Sequence, residues 1–347
     1  MAATIKAITV TKQCAIVAPH VAVVDDWPTP EVGPGEVLIE TEASAMNHLD
    51  LWVGIGLPGI ELTYPRVGGS DGAGRIIQVG QGVDESWLDT RVVINAAKLK
   101  PSALLPNVTP APPEISMIGE HINGTHASAF VAPVTNVFPI GDADAVAAAA
   151  YSLSFLTAWR MLSTKANIRP GQSVLITGIG GGVALSAFCL AKHFGCHTIV
   201  TSRHQHKLDH ALALGADDAI LDSGEDFSRP VRAATNKRGV DVCIDSVGKA
   251  IHLGCIKSLA RGGKYVTCGC TTGPDAKTDL ARIFWNQQSI LGSTMGSMEE
   301  FREVMNLFLR DQIQPVIDSV HPPSEAPEAY ERLETGHQFG KIVFDWQ

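Results

Sequence analysis

The residues with the clearest chemical meaning lie in the run VLITGIGGGVALSA, from Val174 to Ala187. Gly178, Gly180, Gly181 and Gly182 follow a short β-branched, apolar stretch and precede an apolar helical face that starts at Val183. Glycines at such a turn let backbone N–H groups approach a phosphate, and a helix that begins there adds partial positive charge. The chemistry implied is the cradling of a pyrophosphate by Gly181, Gly182 and Val183. Ala184 stands where the strictest pattern has a final glycine, and it suffices because that position needs only close helix–strand packing.

The next apolar stretch, Thr198-Ile199-Val200-Thr201, leads to a second group. A site for an unphosphorylated ribose carries an acid at the end of this strand. Here the position is Ser202, whose hydroxyl can donate to a 2′-phosphate. Arg203 follows with a guanidinium, and Lys207 adds a second cation one helical turn on. Together they predict NADPH as the cofactor, against the plainer reading of two exposed surface cations. His204, His206 and His210 have metal-like spacing, but a solvated helix face accounts for them more simply.

These residues need rigid elements behind them, and the flanking pattern supplies them. Strands are expected at Val174–Thr177, Thr198–Thr201, Ala219–Leu221, Val240–Ile244, Lys264–Thr267 and Ser289–Leu291. Helical patterns fall at Ala184–Phe194, closed by Gly195, and at Lys207–Leu214, closed by Gly215. Strands alternating with helices of this length predict an α/β unit, a Rossmann doubly wound parallel sheet with helices on both faces.

A chain of 347 residues suggests two domains, and 45% hydrophobic with 18% charged residues marks it as globular. A net charge of −9, with no basic stretch to track a phosphate backbone, argues against nucleic acid. Seven cysteines without framework spacing read as reduced thiols. Five (Cys189, Cys196, Cys243, Cys255 and Cys268) fall within the dinucleotide unit, and Cys14 and Cys270 lie outside its regular elements. The start, MAATIKAITV, lacks a signal-like apolar core, and no segment is expected to approach membrane-span length. A cytoplasmic protein without membrane contact is the expectation.

Before the dinucleotide unit, Thr4–Val10 and Val37–Glu40 read as short strands punctuated by Pro28, Pro30 and Gly33-Pro34-Gly35, which suggests a small β-barrel-like domain. Taken in order, PGEVLI, NHLDLW, GGSDGAG, RVVIN, FLTAW, the glycine turn, VDVCIDSVG, ILGSTMG and FGKIV resemble the medium-chain dehydrogenase/reductase superfamily over essentially the whole chain. The resemblance implies a chaperonin-10-like (GroES-like) domain at 1–154 and 296–347 and the Rossmann domain at 155–295. It further implies a nicotinamide cofactor in a cleft between the two domains, and usually a homodimer formed along the last Rossmann strand near Ile290.

Many members of that family bind a catalytic zinc through Cys, His and Cys. The matching positions here are Asn47, Ser70 and about Leu153, none a good zinc ligand, and Asp71 is a lone carboxylate beside Ser70. The lobe that usually carries four structural cysteines should lie between Asn95 and Gly119, where there is no cysteine. Its proline-rich stretch, Pro106–Pro113, is expected to be an extended loop, with a role as a wall of the substrate cleft left open. No metal is expected. The resemblance therefore narrows to the zinc-free branch of quinone oxidoreductases, enone or enoyl reductases and zinc-type alcohol dehydrogenase-like proteins, which carry Asn at the position of Asn47.

That branch implies an NADPH-dependent, zinc-independent reductase of conjugated carbonyls or quinones, small-molecule substrates in which the developing enolate needs only hydrogen-bond donors. Asn47 and Ser70 would face the reacting carbonyl, and Thr157 would pack at the nicotinamide. Val247, Gly248 and Gly269 would line the cofactor cleft, while Gly292 and Ser293 approach the carboxamide. His48 reads equally as part of a proton relay or as a packing residue, and Asp50 as an anchor of its loop. No residue stands out as an obligatory proton donor. A zinc-free alcohol or aldehyde dehydrogenase, a catalytically silent NADPH-binding protein, and a trans-acting enoyl reductase served by a carrier protein remain alternatives.

Overall fold

A computed structural model describes residues 3–57, 59–99 and 115–347. The loop expected at 101–113 lies outside the described residues. The chain divides into two compact units, one formed by Met1–Leu153 with Ser297–Gln347 and the other by Ser154–Gly296.

The second unit is a six-stranded sheet. Its strands are β1 (Ser173–Ile176), β2 (His197–Ser202), β3 (Asp218–Leu221), β4 (Val240–Asp245), β5 (Leu259–Thr267) and β6 (Ser289–Gly292). Every pairing is parallel, in the order β3-β2-β1-β4-β5-β6. Parallel strands are covered on both faces, so their sequences run apolar without alternation. Val174, Leu175, Ile176, Ile199, Val200, Val242, Cys243, Ile244 and Val266 are accordingly buried. After β3 the chain crosses to the far side of β1, which puts the reversal of strand order between β1 and β4. Ligands of such sheets bind beyond the carboxyl ends of the strands at that reversal.

All six expected strands are present within two residues, except that β5 begins at Leu259 rather than Lys264. The Arg261-Gly262-Gly263 segment looks like a breaker, yet the strand passes through it with an irregular register against Val240 and Val242 and a positive φ of 75° at Gly262. Helix Gly182–His193 follows β1 and helix Gln205–Ala213 follows β2.

The first unit is built around Glu36–Ala45, a ten-residue strand paired antiparallel with Asp71–Val79, Ala129–Pro133 and Lys341–Asp345. The last of these also pairs, in parallel, with Ile317–His321. A second, three-stranded sheet holds Val21–Pro28, Thr4–Val10 and Arg66–Val67. Ile8, Val10, Met46, Leu51, Tyr330 and Phe344 share one buried cluster, so the C-terminal segment completes the core begun by the N-terminal one.

One expectation is corrected. Helix Ala145–Trp159 continues as a π-helical turn, Arg160–Lys165, and the 21-residue run has the length of a membrane span, with a mean hydropathy of 1.2 over an 18-residue window. It escapes notice in the sequence because Ser, Thr and Trp interrupt its alanines. Within the protein 78% of that window is buried, which is how a core helix comes to be apolar on every side.

Candidate functional site

Asn47 lies two residues past the end of the central strand and caps helix His48–Ile55. The Asn-x-x-Asp spacing is a capping pair. Asp50 Oδ2 accepts from the Asn47 N–H at 2.8 Å, while Oδ1 accepts from the Gly69 N–H at 2.7 Å. One buried carboxylate thus ties the loop bearing Asn47 to the loop bearing Ser70, and Asp50 is an anchor. Burial alone would raise its pKa, but the adjacent His126 ring and the two N–H groups outweigh that and hold it below the usual carboxylate range. His48 is exposed, its ring edge-on to Trp52 at 5.5 Å.

Two of the three positions matched to zinc ligands, Asn47 and Leu153, meet at Asp71, the first residue of strand Asp71–Val79. Asp71 is fully buried. Its Oδ1 accepts from the Leu153 N–H at 2.8 Å and from the Ser152 hydroxyl. Its Oδ2 accepts from Asn47 Nδ2 at 2.8 Å. A residue the sequence did not mark completes the group, since Lys341 Nζ donates to Asp71 Oδ2 at 2.8 Å and to Asn47 Oδ1 at 2.7 Å. Lys341 is itself 4% exposed. It begins the strand that pairs with the central one, Val343 opposite Ala45, and this register carries it to Asn47 across 294 residues of chain. Ser70 lies behind the group, buried, and its hydroxyl donates to the Ile118 carbonyl at 2.7 Å. Its hydrogen is therefore spent inside the fold, whereas Asn47 is half-buried and keeps one amide N–H without an acceptor among the described residues.

In the second unit the carboxyl ends of the strands gather the other candidates. Gly178 and Gly180 have φ of 64° and 114°, conformations that L side chains rarely adopt, and they turn the chain from β1 into the helix. Gly181 is the N-cap and offers no side chain to the first helical N–H groups, which remain open to an anion. A Cβ at Gly181 would meet only the Gly178 carbonyl, at 3.8 Å, so the space in front of the turn is clear.

Ser202 ends β2 with a buried side chain whose Oγ accepts from the His204 N–H at 3.1 Å, and Arg203 is exposed beside it. Lys207, expected to join Ser202 and Arg203, is not a surface cation. It is only 6% exposed and folds back over the glycine turn, where a Cβ on Gly180 would stand 2.8 Å from its Cδ and 3.2 Å from its Nζ. Its charge therefore lies at the turn rather than out beside Arg203.

Val247 and Gly248 are positioned by Asp245, the last residue of β4. Its Oδ1 accepts from the Val247 N–H at 3.1 Å and from Thr177 Oγ1 at 2.6 Å. Its Oδ2 accepts from the Gly248 N–H at 3.0 Å and from the Tyr265 hydroxyl at 2.6 Å. Burial, then the charge of Asp245, pushes the Tyr265 pKa well up, so that phenol stays a donor. The only sequence sign of this role is a carboxylate that closes the strand after Val242-Cys243-Ile244.

Gly269 is held by Thr267, whose Oγ1 donates to its carbonyl at 2.9 Å. Gly292 ends β6 with open space at its Cβ position. Ser293 N donates to the Thr267 carbonyl at 2.9 Å, and its buried hydroxyl has no partner among the described residues. Thr157 is buried, with its hydroxyl 3.7 Å from Met295 Sδ.

The donor set of this half suits a nicotinamide dinucleotide: an uncapped helix N-terminus with a lysine over it, a clear cradle at Gly181, and an orphaned buried hydroxyl at Ser293. It does not suit zinc on the other half. Around Asp71 stand an amide, a hydroxyl, an aliphatic side chain and an ammonium, and the carboxylate is already saturated by donors. Among the described residues no three His, Cys, Asp or Glu side chains come together as a metal site. His206 and His210 are edge-on, 6.4 Å apart.

Comparison with known proteins identifies the family of both domains. Residues 33–142 match the model of the alcohol dehydrogenase GroES-like domain, and residues 182–310 match that of the zinc-binding dehydrogenases. The zinc-type alcohol dehydrogenase-like protein YogA of Leptosphaeria maculans is 30% identical over 91% of this chain and 92% of its own. A crystal structure of an NAD-dependent alcohol dehydrogenase superposes with a TM-score of 0.89 at 34% identity, covering 99% of this chain and 100% of that one. The cobalt- and zinc-bound thermostable alcohol dehydrogenase of Pyrobaculum aerophilum superposes with a TM-score of 0.85 at 26% identity, covering 99% and 100%. With a GroES-like domain, a Rossmann sheet and relatives matched along nearly their full length, this oxidoreductase belongs to the medium-chain dehydrogenase/reductase superfamily.

Proposed function

We propose that the protein is an NADPH-dependent, zinc-independent reductase that adds hydride to a conjugated carbonyl compound or to a quinone. The observation that carries this reading is the Lys341–Asp71–Asn47 group. A carbonyl oxygen at that place meets hydrogen-bond donors and a fixed cation, with no ligand set for a Lewis acid. Reducing an isolated carbonyl concentrates charge on one oxygen, whereas conjugate reduction spreads it over an enolate that donors can hold.

NADPH supplies the hydride when bound. Gly181, Gly182 and Val183 would bind its pyrophosphate, and Lys207 would add charge at the same turn. Ser202 and Arg203 would hold the 2′-phosphate. Val247, Gly248, Gly269, Gly292 and Ser293 would orient the nicotinamide half, with Thr157 packed against it. Asn47 would donate to the substrate oxygen, and the enolate carbon would take its proton from water.

The test is NADPH oxidation by purified protein against a panel of enals, enones and quinones, each carbonyl paired with its saturated analogue, with and without a chelator. Turnover of the conjugated members, unchanged by chelation, is expected, together with well under one zinc per chain by metal analysis. Stoichiometric zinc required for turnover would overturn the reading. Preference for the saturated aldehydes would favour a zinc-free alcohol dehydrogenase, the second reading, which the names of the relatives support.

A homodimer is part of the proposal. β6 is an edge strand with Ile290 exposed, and Leu280, Phe284 and Trp285 nearby are 74%, 70% and 71% exposed. An apolar patch of that kind beside an open sheet edge is characteristic of an interface. Sedimentation should return twice the chain mass, and Phe284→Glu with Trp285→Glu should return a folded monomer. A monomeric wild type would remove this part.

A further inference from the structure

The Lys341–Asp71–Asn47 group is a closed hydrogen-bonded ring. Lys341 Nζ donates to Asn47 Oδ1 at 2.7 Å and to Asp71 Oδ2 at 2.8 Å, and Asn47 Nδ2 donates to that same Asp71 oxygen at 2.8 Å. An ammonium can only donate and a carboxylate can only accept, so the amide has a single orientation that satisfies both neighbours. Its oxygen must face Lys341 and one N–H must face Asp71. The second N–H, trans to the amide oxygen, is then the group left to meet a ligand, and no described residue accepts from it.

We infer that Lys341 is a positioning residue that acts through Asn47, standing as a fixed cation where two of the family's metal-ligand positions meet. It does two things to the amide. It prevents the flip that would turn the carbonyl oxygen toward the substrate, where it would repel a developing oxyanion. By donating a charged hydrogen bond to Oδ1, it also polarises the amide and strengthens the free N–H as a donor. Two members of the ring are buried, with the Lys341 and Asp71 side chains 5% and 0% exposed, so water does not compete for the bond between them. A purely structural ion pair would leave the amide indifferent to the lysine, and the two accounts differ in what can be measured.

The inference rests on the reading of Asn47 as the donor to the substrate oxygen, so the test has one arm with substrate and one without. In the first, kcat is measured on the best panel substrate for wild type, Asn47→Ala, Lys341→Met and the double variant. Asn47→Ala alone should cost about tenfold to a few hundredfold. Lys341→Met should lower kcat about tenfold in the wild-type background and less than about twofold in the Asn47→Ala background, with NADPH affinity unchanged. Equal costs in both backgrounds would overturn the inference. Should Lys341→Met not fold, the pair Asp71→Asn with Lys341→Met removes both charges and takes its place in the same cycle.

The second arm uses no substrate. The Asn47 side-chain amide is assigned in a ¹H–¹⁵N spectrum by its loss in Asn47→Asp. Its two protons should be shifted and slow to exchange in wild type, retained in Lys341→Arg, and moved toward free-amide values once Lys341 is Met. An amide signal indifferent to Lys341→Met would overturn the inference even in an active enzyme. A wild type inactive on the whole panel, with the amide signal responding as expected, would instead reject the substrate reading and leave the lock standing.

Discussion

Asp71→Ala should destabilise the protein by about 3–5 kcal/mol, the usual consequence of removing one member of a buried ion pair. Asp71 is wholly buried, and its carboxylate is the common acceptor for Lys341, Asn47, Ser152 and the Leu153 N–H. Alanine leaves the Lys341 ammonium in a dry site with one partner, the Asn47 amide oxygen. It also removes the nearer acceptor of the Ser152 hydroxyl, which keeps only the Ala149 carbonyl at 3.4 Å. Chemical denaturation checks this through the midpoint and the slope together. If the ion pair is the cause, Asp71→Leu combined with Lys341→Met should recover most of the loss, because two apolar groups need no partners. A loss below about 1 kcal/mol for Asp71→Ala would mean that water reaches the group, and that its electrostatics are much weaker than the geometry implies.

The second expected result is a reversal of cofactor preference in Ser202→Asp. Wild type should favour NADPH over NADH. Ser202 closes β2, where a carboxylate would accept from free ribose hydroxyls, and its side chain is buried against the turn that precedes helix Gln205–Ala213. Its Oγ already accepts from the His204 N–H, which leaves its hydrogen free to donate to a phosphate. Arg203 stands exposed beside it. Hydrogen bonds to charged groups contribute about 1.5–3 kcal/mol, and about 1.4 kcal/mol is a factor of ten in affinity. Arg203→Ala should therefore weaken NADPH binding by about ten- to a hundredfold while hardly touching NADH.

Lys207 should behave differently from Arg203. Its side chain lies over Gly180, so Lys207→Ala should weaken both cofactors, acting on the pyrophosphate they share. Binding titrations with each cofactor decide the matter. Equal affinities in wild type, or an Arg203→Ala that weakens both alike, would remove the phosphate assignment, and the NAD-dependent relative shows that the fold serves the other cofactor as well.

What could be read along the chain and what could not divide by the range of the interaction. The β1 strand, the glycine turn and the helix after it are encoded within fourteen consecutive residues, Val174–Ala187, because apolar continuity, positive φ and an uncapped helix start are local properties. The same holds for the inner parallel strands, whose burial shows as short apolar runs such as Ile199-Val200 and Val242-Cys243-Ile244. Asn47 and Ser70 could be placed because they sit in short motifs, and the unsuitability of their side chains for zinc follows from chemistry alone.

Their partners could not be found that way. Lys341 reaches Asn47 only because one strand pairing sets Val343 opposite Ala45. That register is a property of the folded sheet, and nothing near FGKIV marks its lysine as buried. Ser70 reads as a free hydroxyl until the fold brings the Ile118 carbonyl to it, 48 residues away. Lys207 reads as a second cation beside Arg203, and that its tail lies on Gly180 is visible only in the fold. Backbone preference and hydrophobic period thus decide where the elements lie. Which buried polar atoms meet depends on long-range register, and in this protein those meetings make the closed group of Lys341, Asp71 and Asn47.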